Sequence, residues 1–240
     1  MVSKNQIKLI TSLQQKKYRK QHQLFFAEGK KVIQEFLDAG YELQNLFVTA
    51  NVFVSVEESK IHTITNSELK KITALTTPND SLAIFKMPKA NRAVLDGLVV
   101  ALDDVRDPGN LGTIIRLCDW FGIDTLLCSE ETVDIYNPKV VQATMGSLSR
   151  VNIVYTDLEK TLSKATLPLY GTFMDGVNIY KESLPEAGII IMGNEANGIS
   201  KPIEQLIKKR IAIPRFGKLQ QTESLNVATA TAIILSEFRR

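Results

Sequence analysis

Three polar stretches hold the side chains of this chain whose types and spacing could do chemistry. The first, Asp104-Val105-Arg106-Asp107-Pro108-Gly109-Asn110-Leu111-Gly112, leads to Arg116. Its glycines let the backbone turn tightly and a ligand come close. Asn110 is placed to cap a following helix. On that helix Arg116 shares a face with Gly112, Thr113 and Trp120, away from the apolar stripe of Leu111, Ile115 and Cys118. The second stretch, Gly193-Asn194-Glu195-Ala196-Asn197-Gly198-Ile199-Ser200, sets a carboxylate between two glycines directly after four apolar residues. The third ends in Glu223-Ser224-Leu225-Asn226. Amides, a carboxylate and a cation can bind and orient a ligand, yet each loop alone also reads as an ordinary capped turn. A nucleophile elbow is absent, and so are the glycine and lysine spacings of dinucleotide and nucleoside triphosphate sites. His22 and His62 lie far apart, and Cys118 and Cys128 read as buried free thiols, so no metal site is expected.

The elements that must position these loops alternate between strand and helix. Strand patterns at Leu24–Ala27, Leu43–Thr49, Ile61–Ile64 and Ser81–Met87 are interleaved with helical ones, giving a small α/β unit over residues 1–90. Thr65 with Glu68 three residues on reads as a capping box. Pro88–Arg92 reads as a linker. In residues 91–240 the run Gly97–Leu102 is continuously apolar, as in a strand buried on both faces. Strands at 125–128, 151–155, 169–173, 188–192 and 211–213 alternate with helices, among them one capped by Asn137 with Pro138 in its first turn. The pattern predicts a mostly parallel sheet, whose ligands gather at the carboxyl ends of strands. The last strand breaks at Pro214, a loop runs from Arg215 to Glu223, and a helix through Phe238 follows. Apolar residues on nearly every side of that helix predict burial on more than one side.

With 29 basic and 26 acidic residues, the net charge of +3 is too small to point to nucleic acid. Its distribution says more. Residues 1–27 contain Lys4, Lys8, Lys16, Lys17, Arg19 and Lys20 and no acid, with Tyr18, His22, Phe25 and Phe26 interleaved or following. Cations beside planar side chains suit RNA; a solvated basic helix face is the alternative. No stretch approaches the ~20 apolar residues of a membrane span, and the N-terminus lacks the apolar core of a signal peptide. A cytoplasmic location is expected.

Together the three loops resemble the signature motifs of the SpoU/TrmH family of RNA ribose 2′-O-methyltransferases, within the SPOUT superfamily. The matching residues are Asn110, Gly112 and Arg116; then Gly193, Glu195, Gly198 and Ser200; then Ile213, Pro214, Gly217, Ser224, Leu225 and Asn226. Ser12-Leu13, Lys16-Lys17-Tyr18-Arg19 and Phe26-Ala27-Glu28-Gly29 resemble the family's small RNA substrate-binding domain.

The resemblance implies a substrate-binding domain over 1–90 and a SPOUT methyltransferase domain over 91–240, with a C-terminal trefoil knot. It implies S-adenosylmethionine held by the backbones of Gly193, Ile213 and Leu225, with Thr172 a further candidate. The catalytic set it implies is Asn110, Arg116, Glu195, Ser224 and Asn226, with Lys16, Lys17 and Arg19 contacting RNA. It also implies a homodimer with the site near its interface, and ribosomal RNA as substrate; transfer RNA, or RNA binding without catalysis, are the alternatives. Arginine stays protonated in almost any protein setting, so Arg116 is expected to stabilise the developing alkoxide or anchor the adjacent phosphate; a neutralised Arg116 acting as base, with the cofactor's positive charge close by, is the alternative. The loop from Arg215 to Glu223 is longer than in many relatives.

Overall fold

The computed structural model describes residues 1–50, 53, 56–89, 92–217, 219 and 224–240. It divides into two compact units. One comprises Met1–Lys89 with Asp134–Arg150, the other Ala90–Val133 with Val151–Arg240.

The first unit runs α1 (Lys4–Ser12), α2 (Lys16–His22), β1 (Leu24–Glu28), α3 (Lys30–Asp38), β2 (Leu43–Val48), β3 (Ile61–Thr63), α4 (Asn66–Leu69) and β4 (Ser81–Lys86). The sheet order is β1-β4-β2-β3, with β4 antiparallel to both β1 and β2, and β2 parallel to β3. Side chains alternate across the pleat, and both faces of β1 are covered. Phe26 joins Ile10, Leu13, Phe47, Leu82 and Ile84 on one face. Phe25 meets Phe36, Phe85, Tyr41 and Tyr136 on the other, with ring centroids 4.6–6.0 Å apart. Each such buried side chain contributes roughly 1.5–3 kcal/mol. The expected capping box holds: Thr65 Oγ1 accepts from Glu68 N, and Glu68 accepts from Thr65 N.

The second unit contains β5 (Leu98–Leu102), α5 (Pro108–Trp120), β6 (Thr125–Cys128), β7 (Asn152–Tyr155), α7 (Leu158–Leu162), β8 (Leu169–Asn178), β9 (Gly188–Met192), α8 (Lys201–Glu204), β10 (Lys209–Ala212) and α9 (Val227–Phe238); the intervening α6 (Pro138–Thr144) belongs to the first unit. All its strand pairs are parallel, in the order β10-β8-β9-β5-β6-β7. β5, β6 and β9 are buried at every position, which is why they read as unbroken apolar runs. Chain order reverses between β5 and β9, so the loops leaving their carboxyl ends flank a topological switch point. α9 packs on α5, burying Val227, Ala228, Thr231, Ile234, Leu235 and Phe238. Cys118 and Cys128 are buried free thiols, and burial pushes both far above the usual thiol range.

Two features depart from the sequence reading. β8 continues to Asn178 instead of ending near Phe173, which places Thr172 within the strand, its hydroxyl donating to Ile191 O at 3.1 Å. Residues 134–150 group with the first unit although they lie within 91–240. Of the loop from Arg215 to Glu223, Lys218 and residues 220–223 lie outside the described residues, as do Ala90 and Asn91 of the linker.

Candidate active site

Three loops converge through one hydrogen-bonded chain. Asn110 Nδ2 donates to Glu195 Oε1 at 2.7 Å, and Asn110 Oδ1 accepts from Asn226 Nδ2 at 2.8 Å. Asn226 Oδ1 then accepts from the main-chain N–H groups of Ala228 and Thr229, at 3.0 and 3.2 Å. The order fixes both amides. An ionised carboxylate only accepts, so Asn110 must turn its NH2 to Glu195 and its oxygen to Asn226. Asn226 is thereby left with its oxygen for the orphan amides of α9, as an N-cap requires. The side chain that caps α9 also locks Asn110.

The backbone beneath this chain is equally constrained. Asn110 sits in the first turn of α5, but the cap is Asp107, whose Oδ1 accepts from Asn110 N at 2.8 Å. The cap expected at Asn110 is therefore three residues earlier, with Pro108 at the first helical position, and the Asn110 side chain is released for Glu195 and Asn226. In the second loop Asn194 is the organiser. Its Oδ1 accepts from Ala196 N and Asn197 N at 2.9 and 3.0 Å, and its Nδ2 donates to Asp104 O at 2.7 Å. Buried Asp103 accepts from Ser200 N at 2.7 Å, tying the loops after β5 and β9 together a second time. Gly193 is required where it stands, because a Cβ there would lie 2.3 Å from the carbonyl carbon of Gly198. Neither Asp103 nor Asn194 is among the residues expected from sequence, although an Asn in a polar loop is the usual sign of an Asx turn.

The remaining residues of the expected catalytic set lie outside the chain of bonds. Arg116 is exposed on α5 beside exposed Thr113 and Trp120, while Gly112, expected on the same face, is buried. Among the described residues Arg116 has no hydrogen-bond or ion-pair partner, so its charge is free for a ligand. Ser224 is exposed and makes no bond to Asn110, Glu195 or Asn226. Gly193 and Ile213 are each the first residue past the carboxyl end of a parallel strand, and Leu225 lies two residues before α9. Ile213 is half-buried and Leu225 is 49% exposed, which leaves apolar surface at the place where ligands of such sheets collect.

In the first unit Lys16 and Lys17 are exposed, and Lys17 Nζ lies 5.8 Å from the Tyr18 ring centroid. Arg19, expected beside them as an RNA contact, is only 2% exposed. Its Nε and Nη2 donate to Asp134 Oδ2 at 3.1 and 2.6 Å, and its Nη1 donates to Leu13 O and Gln14 O at 2.8 Å. That guanidinium is consumed internally, which removes it from any RNA-facing surface. No signal near Arg19 reveals this, because its partner lies 115 positions away.

Residues 97–236 match the SpoU rRNA methylase family, and residues 4–83 match the MRM3-like substrate binding domain. The chain belongs to the SpoU rRNA methylase family. Among relatives of this SpoU protein is the 23S rRNA (guanosine(2553)-2′-O)-methyltransferase RlmP of Bacillus subtilis, 30% identical over 246 residues, covering 99% of this chain and 97% of RlmP. A TrmH-family protein of Porphyromonas gingivalis superimposes with a TM-score of 0.90 at 39% identity, over 100% of this chain and 98% of that one. The AdoMet-bound rRNA methyltransferase of Sinorhizobium meliloti superimposes with a TM-score of 0.86 at 29% identity, over 100% and 96%. The SpoU match spans all three loops, including both ends of the Glu195–Asn110–Asn226 chain.

Proposed function

We propose that this SpoU-family protein transfers the methyl group of S-adenosylmethionine to a ribose 2′-hydroxyl of ribosomal RNA. The observation that carries this reading is the Asn110 amide, fixed between Glu195 and Asn226 where the three family motifs meet. RlmP, similar over nearly the whole of both chains, supports ribosomal RNA; the AdoMet-bound relative supports the cofactor.

The cofactor's sulfonium supplies an activated methyl group, and the protein supplies alignment and charge. The site fits such a molecule: Gly193, Ile213 and Leu225 would hold it with main-chain groups and the half-exposed apolar side chains of the last two. The Glu195–Asn110–Asn226 chain keeps the loops preorganised. Arg116, without a partner among the described residues, stabilises negative charge growing on the 2′-oxygen or anchors the neighbouring phosphate. A preorganised group of this kind is worth roughly 3–4 kcal/mol in the transition state. Ser224 positions the ribose or the cofactor.

Three further points belong to the same reading. The first unit presents the RNA, through Lys16 and Lys17. The segment after β9 passes through a loop to form the trefoil knot that the family resemblance implies. Two copies of the chain pair in the cytoplasm, with half-buried Ile233 of α9 among the apolar groups that pairing would cover.

Ribose methylation mapped across ribosomal RNA, with and without the gene for this protein, tests the reading. One 2′-O-methylated nucleotide is expected to disappear and to return with the wild-type gene. An unchanged methylation map, with purified protein that does not bind S-adenosylmethionine, would overturn it.

A further inference from the structure

The first unit contains a cavity of about 350 Å3 that borders the Phe26–Gly29 stretch and is remote in sequence from the three loops of the candidate active site. Gly29, Lys30 and Lys31 form one wall, Asn79 another, and Gln142 and Met145 of the 134–150 segment a third. Two cations are among the lining residues. Lys30 and Lys31 are exposed in the first turn of α3, and neither has a carboxylate partner among the described residues. The two nearby carboxylates are occupied: Glu28 accepts from Thr73 Oγ1 and Ala74 N, and Asp80 accepts from Ser81 Oγ.

The side chains of Asn79 and Gln142 also have no hydrogen-bond partner among the described residues. A primary amide offers a donor and an acceptor on one rigid plane, which matches the edge of a nucleobase. Met145 adds a soft apolar surface, 37% exposed, of the kind a base face covers. The backbone keeps the cavity open: Gly29 has φ of +86°, and a Cβ there would lie 2.8 Å from Asn79 Nδ2. A phosphate alone would need the lysines but neither amide nor the methionine.

We propose that this cavity takes one unpaired nucleotide of the RNA substrate. The base lies between Met145 and the amides of Asn79 and Gln142, and the flanking phosphates lie on Lys30 and Lys31. RNA proteins read sequence through unstacked bases in this way. The pocket would select where on a structured RNA the protein settles, a role separate from the chemistry of the second unit. This inference rests on RNA being the substrate.

The test uses the full-length protein and protein-free large-subunit ribosomal RNA lacking the modification. The double variant N79A/Q142A is expected to raise KM for RNA about tenfold or more, with kcat at saturating RNA, S-adenosylmethionine affinity and melting temperature unchanged. K30A/K31A should weaken RNA binding and lower its salt slope by about one per lost phosphate contact. Photocrosslinking of wild-type protein to 4-thiouridine-substituted RNA should leave adducts on peptides containing Asn79 or Met145. Wild-type KM in N79A/Q142A, or adducts confined to other peptides, would overturn the pocket while leaving methyl transfer intact. A wild-type protein that does not methylate this RNA at all would instead overturn the functional reading beneath it.

Discussion

Each unit carries one arginine that the two use in opposite ways. In the first, Arg19 is buried, with four donated bonds that end on Asp134 and two carbonyls. In the second, Arg116 stands in solvent with no partner among the described residues. The sheets differ in the same sense. The first unit fills one face of its mixed sheet with Phe25, Phe36, Tyr41, Phe85 and Tyr136, and it needs residues 134–150 to finish that face. The second buries aliphatic parallel strands and sends its polar groups to the loops at one end. The lesson is that residue type does not assign a role. A cation whose donors are all satisfied holds a fold, and a cation left unsatisfied in solvent keeps its donors for a ligand.

The largest effect expected from this contrast is on stability. Asp134→Ala strands a buried guanidinium, which costs about 3–5 kcal/mol. Thermal or denaturant unfolding should show the loss in the first unit, with S-adenosylmethionine binding retained below the transition. If Asp134→Ala unfolds with wild-type midpoints, Arg19 is not the structural cation described here. Next comes Arg116→Ala, for which kcat should fall about 10²–10³-fold while unfolding and cofactor affinity stay as in wild type. Full activity in that variant would remove Arg116 from the site. Asn110→Ala should likewise lower kcat, and should also loosen α9, whose cap Asn226 loses its partner; hydrogen exchange at Ala228 and Thr229 would report it. A smaller change is expected for K16A/K17A, which should weaken RNA binding and reduce its salt dependence by about 0.7–0.9 per phosphate contact. Arg19, lying inside, adds nothing to that slope.

The smallest effect is a pH window in the first unit. Main-chain donors at Thr65 and Val2 hold the Glu68 carboxylate down to about 2. A depressed carboxylate stabilises the folded state above its unfolded value, and that contribution is lost as pH falls toward 2. Acid titration of unfolding should therefore show a slope between about pH 4.5 and 2 that Glu68→Gln lacks. Equal slopes in the two proteins would show that the capping box carries no proton linkage.

Local signals in the sequence reached far in both units. The unbroken apolar run of β5, the Thr65–Glu68 box and the Asn137–Pro138 helix start are each decided by a few neighbouring residues, and each stands where its pattern placed it. Gathering Asn110, Glu195 and Asn226 into one set needed the spacing of three motifs together, since each loop alone reads as a capped turn. What stayed illegible depends on long-range partners. Arg19 sits among lysines in sequence, and only Asp134 reveals that it is internal. The Asp107 cap lay hidden behind a neighbouring Asn of equal propensity. Residues 134–150 carry an ordinary helix signal that says nothing about which core they join.

That last segment has a consequence for how the protein is made. The aromatic face of the first unit includes Tyr136, and Arg19 must wait for Asp134, 115 positions later. At roughly 5–20 residues per second, a ribosome needs on the order of ten seconds to supply that partner. During this interval the N-terminal portion emerges with an open aromatic face and an unneutralised internal cation. The order of synthesis thus runs against the usual rule that the first unit made is the first to fold: its completion is deferred until β5, α5 and β6 have already left the ribosome.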